Sequence, residues 1–285
     1  MLALSVQSPR RRTYQGKLQL VQDDGPVPAR MNTSPALFFS HHKCATTWLG
    51  ELLARHCSRQ GLKFSFTQLS GSGPTEEAGL DAFFFTNSLY EFCQVHCDKW
   101  LNQHPQPALH IIRNPLDLVV SAYYSHLNTH RVDRWPALAQ QRAVLRKLDK
   151  RAGMIATWTF LERADFHMGV VGPLFSMRRW DYGDPRIKTL RMEDLVNDDQ
   201  LARNELQVRL AGDAADVINE LTFEKISGGR QKGTIDNQHH FRSGKSDQWL
   251  EELDVSLANA IYETYRSLIN DYYPDVKAKL DAHQG

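Results

Sequence analysis

Cysteine is scarce in this chain of 285 residues, neither sign of charge is in excess, and no long apolar run occurs. Each absence excludes a class of protein. The four cysteines, Cys44, Cys57, Cys93 and Cys97, are too few for a disulfide scaffold, so reduced thiols and a cytoplasmic setting are expected. The stretch Cys93-Gln94-Val95-His96-Cys97 lacks the second Cys or His pair of a structural zinc site, and no metal is assigned to it. Lys and Arg number 34 against 33 Asp and Glu, a net charge of +1, which argues against nucleic acid as a partner. No segment approaches the roughly 18 apolar residues of a membrane span. The basic run Arg10-Arg11-Arg12 follows the short apolar start, the wrong order for a secretory signal. Apolar residues still make up 41% and charged residues 24%, so the chain is globular and not disordered as a whole.

Residues 1–34 read as an N-terminal extension, partly disordered, and residues 35–285 as a single domain. Pro35 precedes a short apolar run, Ala36-Leu37-Phe38-Phe39, of the kind found in a parallel strand buried on both faces. A helix is expected from about Thr47, with Leu49, Leu52, Leu53 and Cys57 on its inner face. Further strands are expected over residues 63–67, 82–86, 109–112 and 187–190, and residues 68–79 form a Ser/Gly/Pro loop. Asn114-Pro115 is a strong helix start, with Asn as cap and Pro at the first helical position. On that helix Asp117, Ser121 and Ser125, four apart, share a face opposite much of the apolar stripe. Residues 137–171 and 193–221 read mainly as helix, and Ser256 to Leu268 as an amphipathic helix. This alternation predicts an α/β fold, a three-layer sandwich with a central parallel sheet flanked by helices.

Two stretches carry chemistry. His41-His42-Lys43-Cys44-Ala45-Thr46-Thr47-Trp48 lies between the first strand and its helix, where amides, a lysine and two hydroxyls suit a phosphate or sulfonate. It is not a Walker A loop, because GxxxxGK[ST] is absent. Arg113 ends a strand and Ser121 lies on the next helix, a fork and a hydroxyl for a second anion. Taken alone, each has a plainer reading: a polar turn, and a capped surface helix.

Together they resemble the two phosphate-binding signatures of sulfotransferases that use 3′-phosphoadenosine 5′-phosphosulfate (PAPS) and release 3′-phosphoadenosine 5′-phosphate (PAP). Lys43, Thr46, Thr47 and Trp48 match the family's K-S-G-T-T-W loop, with Cys44 and Ala45 in place of Ser and Gly. Arg113, Asn114, Pro115, Asp117 and Ser121 match its R-N-P-x-D-x-x-x-S segment at full spacing. Arg242-Ser243-Gly244 and Trp249 keep register with R-K-G-x-x-G-D-W, while Ser243, Asp247 and Gln248 depart. Thr222-Phe223 and Gly228-Gly229-Arg230 look like the adenine-side segment. Residues 190–195 resemble R-Y-E-D-L, with Met192 replacing the tyrosine.

The resemblance implies a P-loop-like nucleotide-binding core and PAPS as co-substrate, with no metal required. It implies nucleotide contacts from Lys43, Cys44, Ala45, Thr46, Thr47, Trp48, Arg113, Ser121, Thr222, Phe223, Arg242, Ser243 and Gly244. Lys43 meets the charge that develops on the leaving group. Many relatives use a histidine of a K-x-H stretch as general base; His96 occupies the corresponding region, and His41, His42, His239 and His240 are rivals. The expected partner is a small-molecule acceptor, its pocket built by residues 68–79, Tyr90 to Trp100 and the helices after Leu127. Anchor-free relatives include enzymes that tailor bacterial natural products. A homodimer is compatible with the sequence and not specified by it. Two other classes remain open here: a P-loop nucleotide kinase, and a non-catalytic module that binds PAP.

Overall fold

The computed structural model describes residues 35–68, 80–87, 89–133, 135–167, 170–197, 200–210 and 212–283, all within the unit Thr33–Gly285. The extension expected over residues 1–34 and the loop residues 69–79 lie outside the described residues.

Five short strands form: Ala36–Ser40 (β1), Phe64–Gln68 (β2), Ala82–Thr86 (β3), Ala108–Ile112 (β4) and Ile187–Arg191 (β5). They make one sheet in the order β2-β3-β1-β4-β5, with every pairing parallel. Strand side chains alternate between faces, so a strand that is apolar throughout must be covered on both sides. Ala36, Phe38, Phe84, Leu109 and Ile111 meet Leu49, Leu52, Leu53 and Cys57 of the helix Thr46–Arg59 (α1) on one face. Leu37, Phe39, Phe83 and Phe85 meet Cys93 and Cys97 of the helix Tyr90–Gln103 (α2) on the other. Phe38, Phe39, Phe84 and Phe85 are at most 1% exposed, each worth about 1.5–3 kcal/mol of burial. Three layers result, as expected. All four cysteines are free and buried, and burial drives the Cys93 thiol well up; the CxxxC spacing is a helix stripe facing the core.

Further along come the helices Pro115–Tyr124 (α3), Pro136–Leu145 (α4), Lys150–Leu161 (α5), Pro173–Arg178 (α6), Met192–Val196 (α7), Gln200–Gln207 (α8), Ala215–Glu220 (α9) and Phe223–Ile226 (α10). Trp249–Glu252 (α11), Val255–Thr264 (α12), Arg266–Tyr272 (α13) and Asp275–Ala282 (α14) close the chain. A π-helical turn, Ser125–Thr129, extends α3. No described helix is long and apolar enough to cross a membrane.

Asn114 caps α3 as expected, its side chain accepting from the Leu116 amide. The polar face of α3 is not a solvent face, however. Asp117 is 1% exposed and Ser125 5%. Asp117 instead accepts hydrogen bonds from the amides of Asp247 (2.7 Å) and Trp249 (3.1 Å), tying the segment before α11 to α3.

Candidate active site

The sheet order brings the two anion-binding stretches together. β1 lies beside β4, with Ser40 paired to Ile111, so the residues leaving their carboxyl ends are neighbours. The strand order also reverses at β1, and ligands bind in the crevice at such switch points. Arg113 accordingly donates from Nη1 to the carbonyl of Lys43 (3.2 Å).

The loop after β1 has an unusual backbone. Lys43 (φ 68°) and Ala45 (φ 56°) are both left-handed without being glycine. Such turns aim successive amides into a concavity that suits an anion. Ala45 precedes α1 and provides no side-chain cap, and the first turn of α1 holds no acidic residue. The orphan amides and positive end of the helix dipole there therefore favour a negative group.

The side chains divide into structural and open. Cys44 is fully buried. Thr46 donates its hydroxyl to the carbonyl of His41 (2.8 Å), which holds the loop to β1. Thr47 is exposed, with its Oγ1 3.1 Å from Nε2 of His240. Trp48 donates from its indole to the carbonyl of Leu221 (3.0 Å), next to Thr222 and Phe223. Gly244 (φ +67°) packs so closely on Phe223 that a Cβ would stand 2.5 Å from Cδ2 of that ring. Trp48, Thr222, Phe223 and Gly244 thus gather at one edge of the loop, with Ser243 buried behind them.

Charge is concentrated and poorly solvated. Lys43 is pushed down to about 7, first by burial and then by the Arg113 guanidinium, with Cys44 opposing. Among the described residues its ammonium has no hydrogen-bond or ion-pair partner. Nε of Arg113 is likewise buried without a partner. Glu193 accepts from the Asn114 amide (3.1 Å) and from the Tyr273 hydroxyl (3.1 Å). Burial raises its carboxyl to about 7, with the Asp117 charge adding and Arg113 opposing. Burial raises Asp117 too.

Two residues stand apart. The Arg242 guanidinium is engaged by Glu252, Gln248 and Asn237 and lies 4.1 Å over the Tyr124 ring. His96 sits exposed on α2, its ring 4.3 Å from that of Phe92.

The histidines gathered near Lys43 are others. His42 has its Nε2 2.9 Å from Nε2 of His126 and its ring 5.1 Å from that of His130. Its amide donates to Asn87, itself left-handed (φ 58°) at the end of β3. Burial first, then His126, His130, Lys43 and His240, hold His42 well below the usual imidazole range. His240 is lowered to about 4 by burial, then by Lys43. Neutral imidazoles at pH 7 can accept a proton. A second pair, His41 and His110, is buried with Nε2 atoms 2.7 Å apart. His126 and His130 were not legible as site residues, because only the fold brings them to His42. Among the described residues no group of His, Cys, Asp and Glu is arranged to hold a metal.

Comparison with known proteins agrees with this geometry. The sulfotransferase domain family matches residues 34–273. A solved structure of the mouse sulfotransferase SULT7A1 complexed with PAP is similar to this chain at 16% identity and TM-score 0.55, covering 88% of this chain and 89% of that one. Retinol dehydratase in complex with androsterone and the inactive cofactor PAP is similar at 14% identity and TM-score 0.52, covering 85% and 82%. No curated protein matches by sequence. A five-strand parallel sheet with a lysine loop beside an arginine at its switch point, under a family match that spans most of the chain, places this protein in the sulfotransferase family.

Proposed function

We propose that this protein transfers a sulfuryl group from PAPS to a hydroxyl or amine of a small-molecule acceptor and releases PAP. The observation that carries the reading is a pair of cationic groups flanking an uncapped helix start: the half-buried Lys43 ammonium, without a partner among the described residues, and the buried Arg113, whose Nε has none. Burying a charge without a partner is costly, and an anion at each end would relieve that cost. The residues therefore fit a nucleotide with phosphate at both ends. When bound, PAPS supplies an activated sulfuryl group on a phosphate leaving group.

The chain's own groups then have distinct tasks. Lys43, the loop amides and the Thr47 hydroxyl stabilise charge on the leaving oxygen. Arg113 and Ser121 hold the far phosphate. Trp48, Thr222, Phe223 and Gly244 border the adenine. His42 takes the acceptor's proton, a task worth about 10²–10⁴-fold. His96 is less well supported as the base, since the imidazoles that feel the Lys43 charge are His42, His126, His130 and His240. Arg242 serves the reading as a brace to Glu252 rather than as a phosphate contact. A single domain over residues 35–285 and a cytoplasmic setting complete the proposal.

Calorimetry with PAP tests it directly. Arg113→Ala should weaken PAP binding at least 10²-fold, the scale of losing a charge-assisted bidentate contact. Lys43→Ala should lower turnover, followed as PAP release from PAPS with metabolite pools as acceptor, far more than it weakens PAP binding. Wild-type protein that does not bind PAP would sink the reading.

A further inference from the structure

His126 is buried completely, 84 positions along the chain from the histidine it touches. Its surroundings are apolar: the rings of Trp135, Phe160 and Phe166 stand 5.9, 5.7 and 6.4 Å from its own. An imidazole in such a box is costly unless its nitrogens are bonded. Its delivery there needs a local departure from the α-helix. After Tyr124 the helix widens into the π turn Ser125–Thr129, closed by the His130 amide donating five residues back to the Ser125 carbonyl (2.7 Å). Arg142 of α4 donates to the carbonyls of His126 and His130 and holds that widened turn. Single π turns of this kind are rare and concentrate at functional sites.

The polar atoms line up. Nε2 of His126 faces Nε2 of His42 at 2.9 Å. Nδ1 of His126 is buried without a hydrogen-bond partner, and so are both polar atoms of the buried Gln141 carboxamide, which acts on the His126 ring. A carboxamide oxygen turned to Nδ1 makes His126 the Nδ1–H tautomer and leaves its Nε2 as an acceptor. His42 must then carry its proton on Nε2, which leaves Nδ1 as the bare nitrogen.

We propose that His126, set by Gln141, is a positioning residue that fixes His42 in the Nε2–H tautomer and accepts its hydrogen bond during transfer. The inference rests on His42 being the base, as in the reading above. As the acceptor oxygen bonds to sulfur, the bridging S–O bond breaks with its electron pair leaving on the PAP phosphate, the acceptor's O–H bond breaks, and the proton goes to Nδ1 of His42. The resulting imidazolium keeps its Nε2–H and donates it to His126. Burial first, and then the neighbouring His130, Lys43, His240 and Arg142, keep both imidazoles neutral before transfer.

Nitrogen-15 spectra of the labelled imidazoles in the PAP-bound protein decide the matter without an identified acceptor. His42 is assigned from its loss in His42→Gln. In the wild type, His42 should show a bare Nδ1 and a protonated Nε2. His126→Phe should abolish that preference, raising the Nδ1–H fraction several-fold. His126→Gln, whose side-chain oxygen reaches the same point, should restore it, which a merely structural role would not. Should His126→Phe not fold, Gln141→Leu serves, with the same loss of preference expected. Nδ1–H on wild-type His42, or a tautomer ratio unmoved by both His126→Phe and Gln141→Leu, overturns the inference. Calorimetry on the same samples keeps the two readings apart: absent PAP binding refutes the nucleotide site, whereas intact binding with the wrong tautomer refutes only the histidine pair.

Discussion

Replacing Glu193 by Gln should stabilise the protein, and only above a definite pH. Glu193 ordinarily titrates at 4.5 and is raised to about 7 in the folded chain, mainly by burial. Between those values the folded state holds a proton that the unfolded state has released. Stability therefore falls as pH rises through that window. A displacement from 4.5 to about 7 corresponds to about 3 kcal/mol at most. Gln keeps the packing and both hydrogen bonds. Its oxygen can accept from the Asn114 amide, and its NH₂ can donate to the Tyr273 hydroxyl, which then turns to act as acceptor. Urea unfolding of wild type and Glu193→Gln across pH 4.5 to 8 measures the difference. The two should be nearly equal at the acid end, and the variant should lead by about 1–3 kcal/mol at pH 8. A variant weaker than wild type at pH 8, or a difference that does not change with pH, would refute the argument that burial outweighs the attraction of Arg113.

Asp117→Ala leaves the amides of Asp247 and Trp249 without an acceptor, and at about 1–3 kcal/mol each should cost about 2–6 kcal/mol in urea unfolding; a loss under 1 kcal/mol would mean those amides find water. Ala45 is left-handed at φ 56°, so Ala45→Gly should be neutral or gain up to about 1 kcal/mol while Ala45→Val loses at least that much. Equal thermal midpoints for the two would contradict that backbone. Gly244→Ala should cut PAP affinity at least tenfold by calorimetry, because the added Cβ meets the Phe223 ring at 2.5 Å; unchanged affinity would detach Phe223 from the nucleotide.

The parts of the fold that could be read were those set by local pattern. Ala36 to Phe39 and Ala82 to Phe85 are apolar throughout because both sheet faces are covered, and Asn114-Pro115 starts α3 by cap chemistry alone. The neighbouring positions of Lys43 and Arg113 followed from family motifs and from the parallel alternation. Long-range pairings were out of reach. Nothing local announces that Asp117, placed opposite much of the apolar stripe, holds the amides of Asp247 and Trp249. His126 depends on a π turn, which has no sequence signature, and on a partner far away. Arg242 kept the family's register, yet its guanidinium is committed to Glu252, ten residues on, a choice that only packing makes. The α14 helix went unread because it carries only a short apolar stripe, Val276 and Leu280.

The place of β1 at the middle of the sheet bears on how the chain reaches this state. Both of its edges are covered by strands made later, β3 and then β4. As the polypeptide leaves the ribosome, the phenylalanines of β1 must wait for partners dozens of residues downstream. Pairings of such long range close slowly and leave sticky segments uncovered meanwhile. Biogenesis of this protein should therefore lean on chaperone capacity and cool expression, even though the finished molecule hides Phe38 and Phe39 almost entirely.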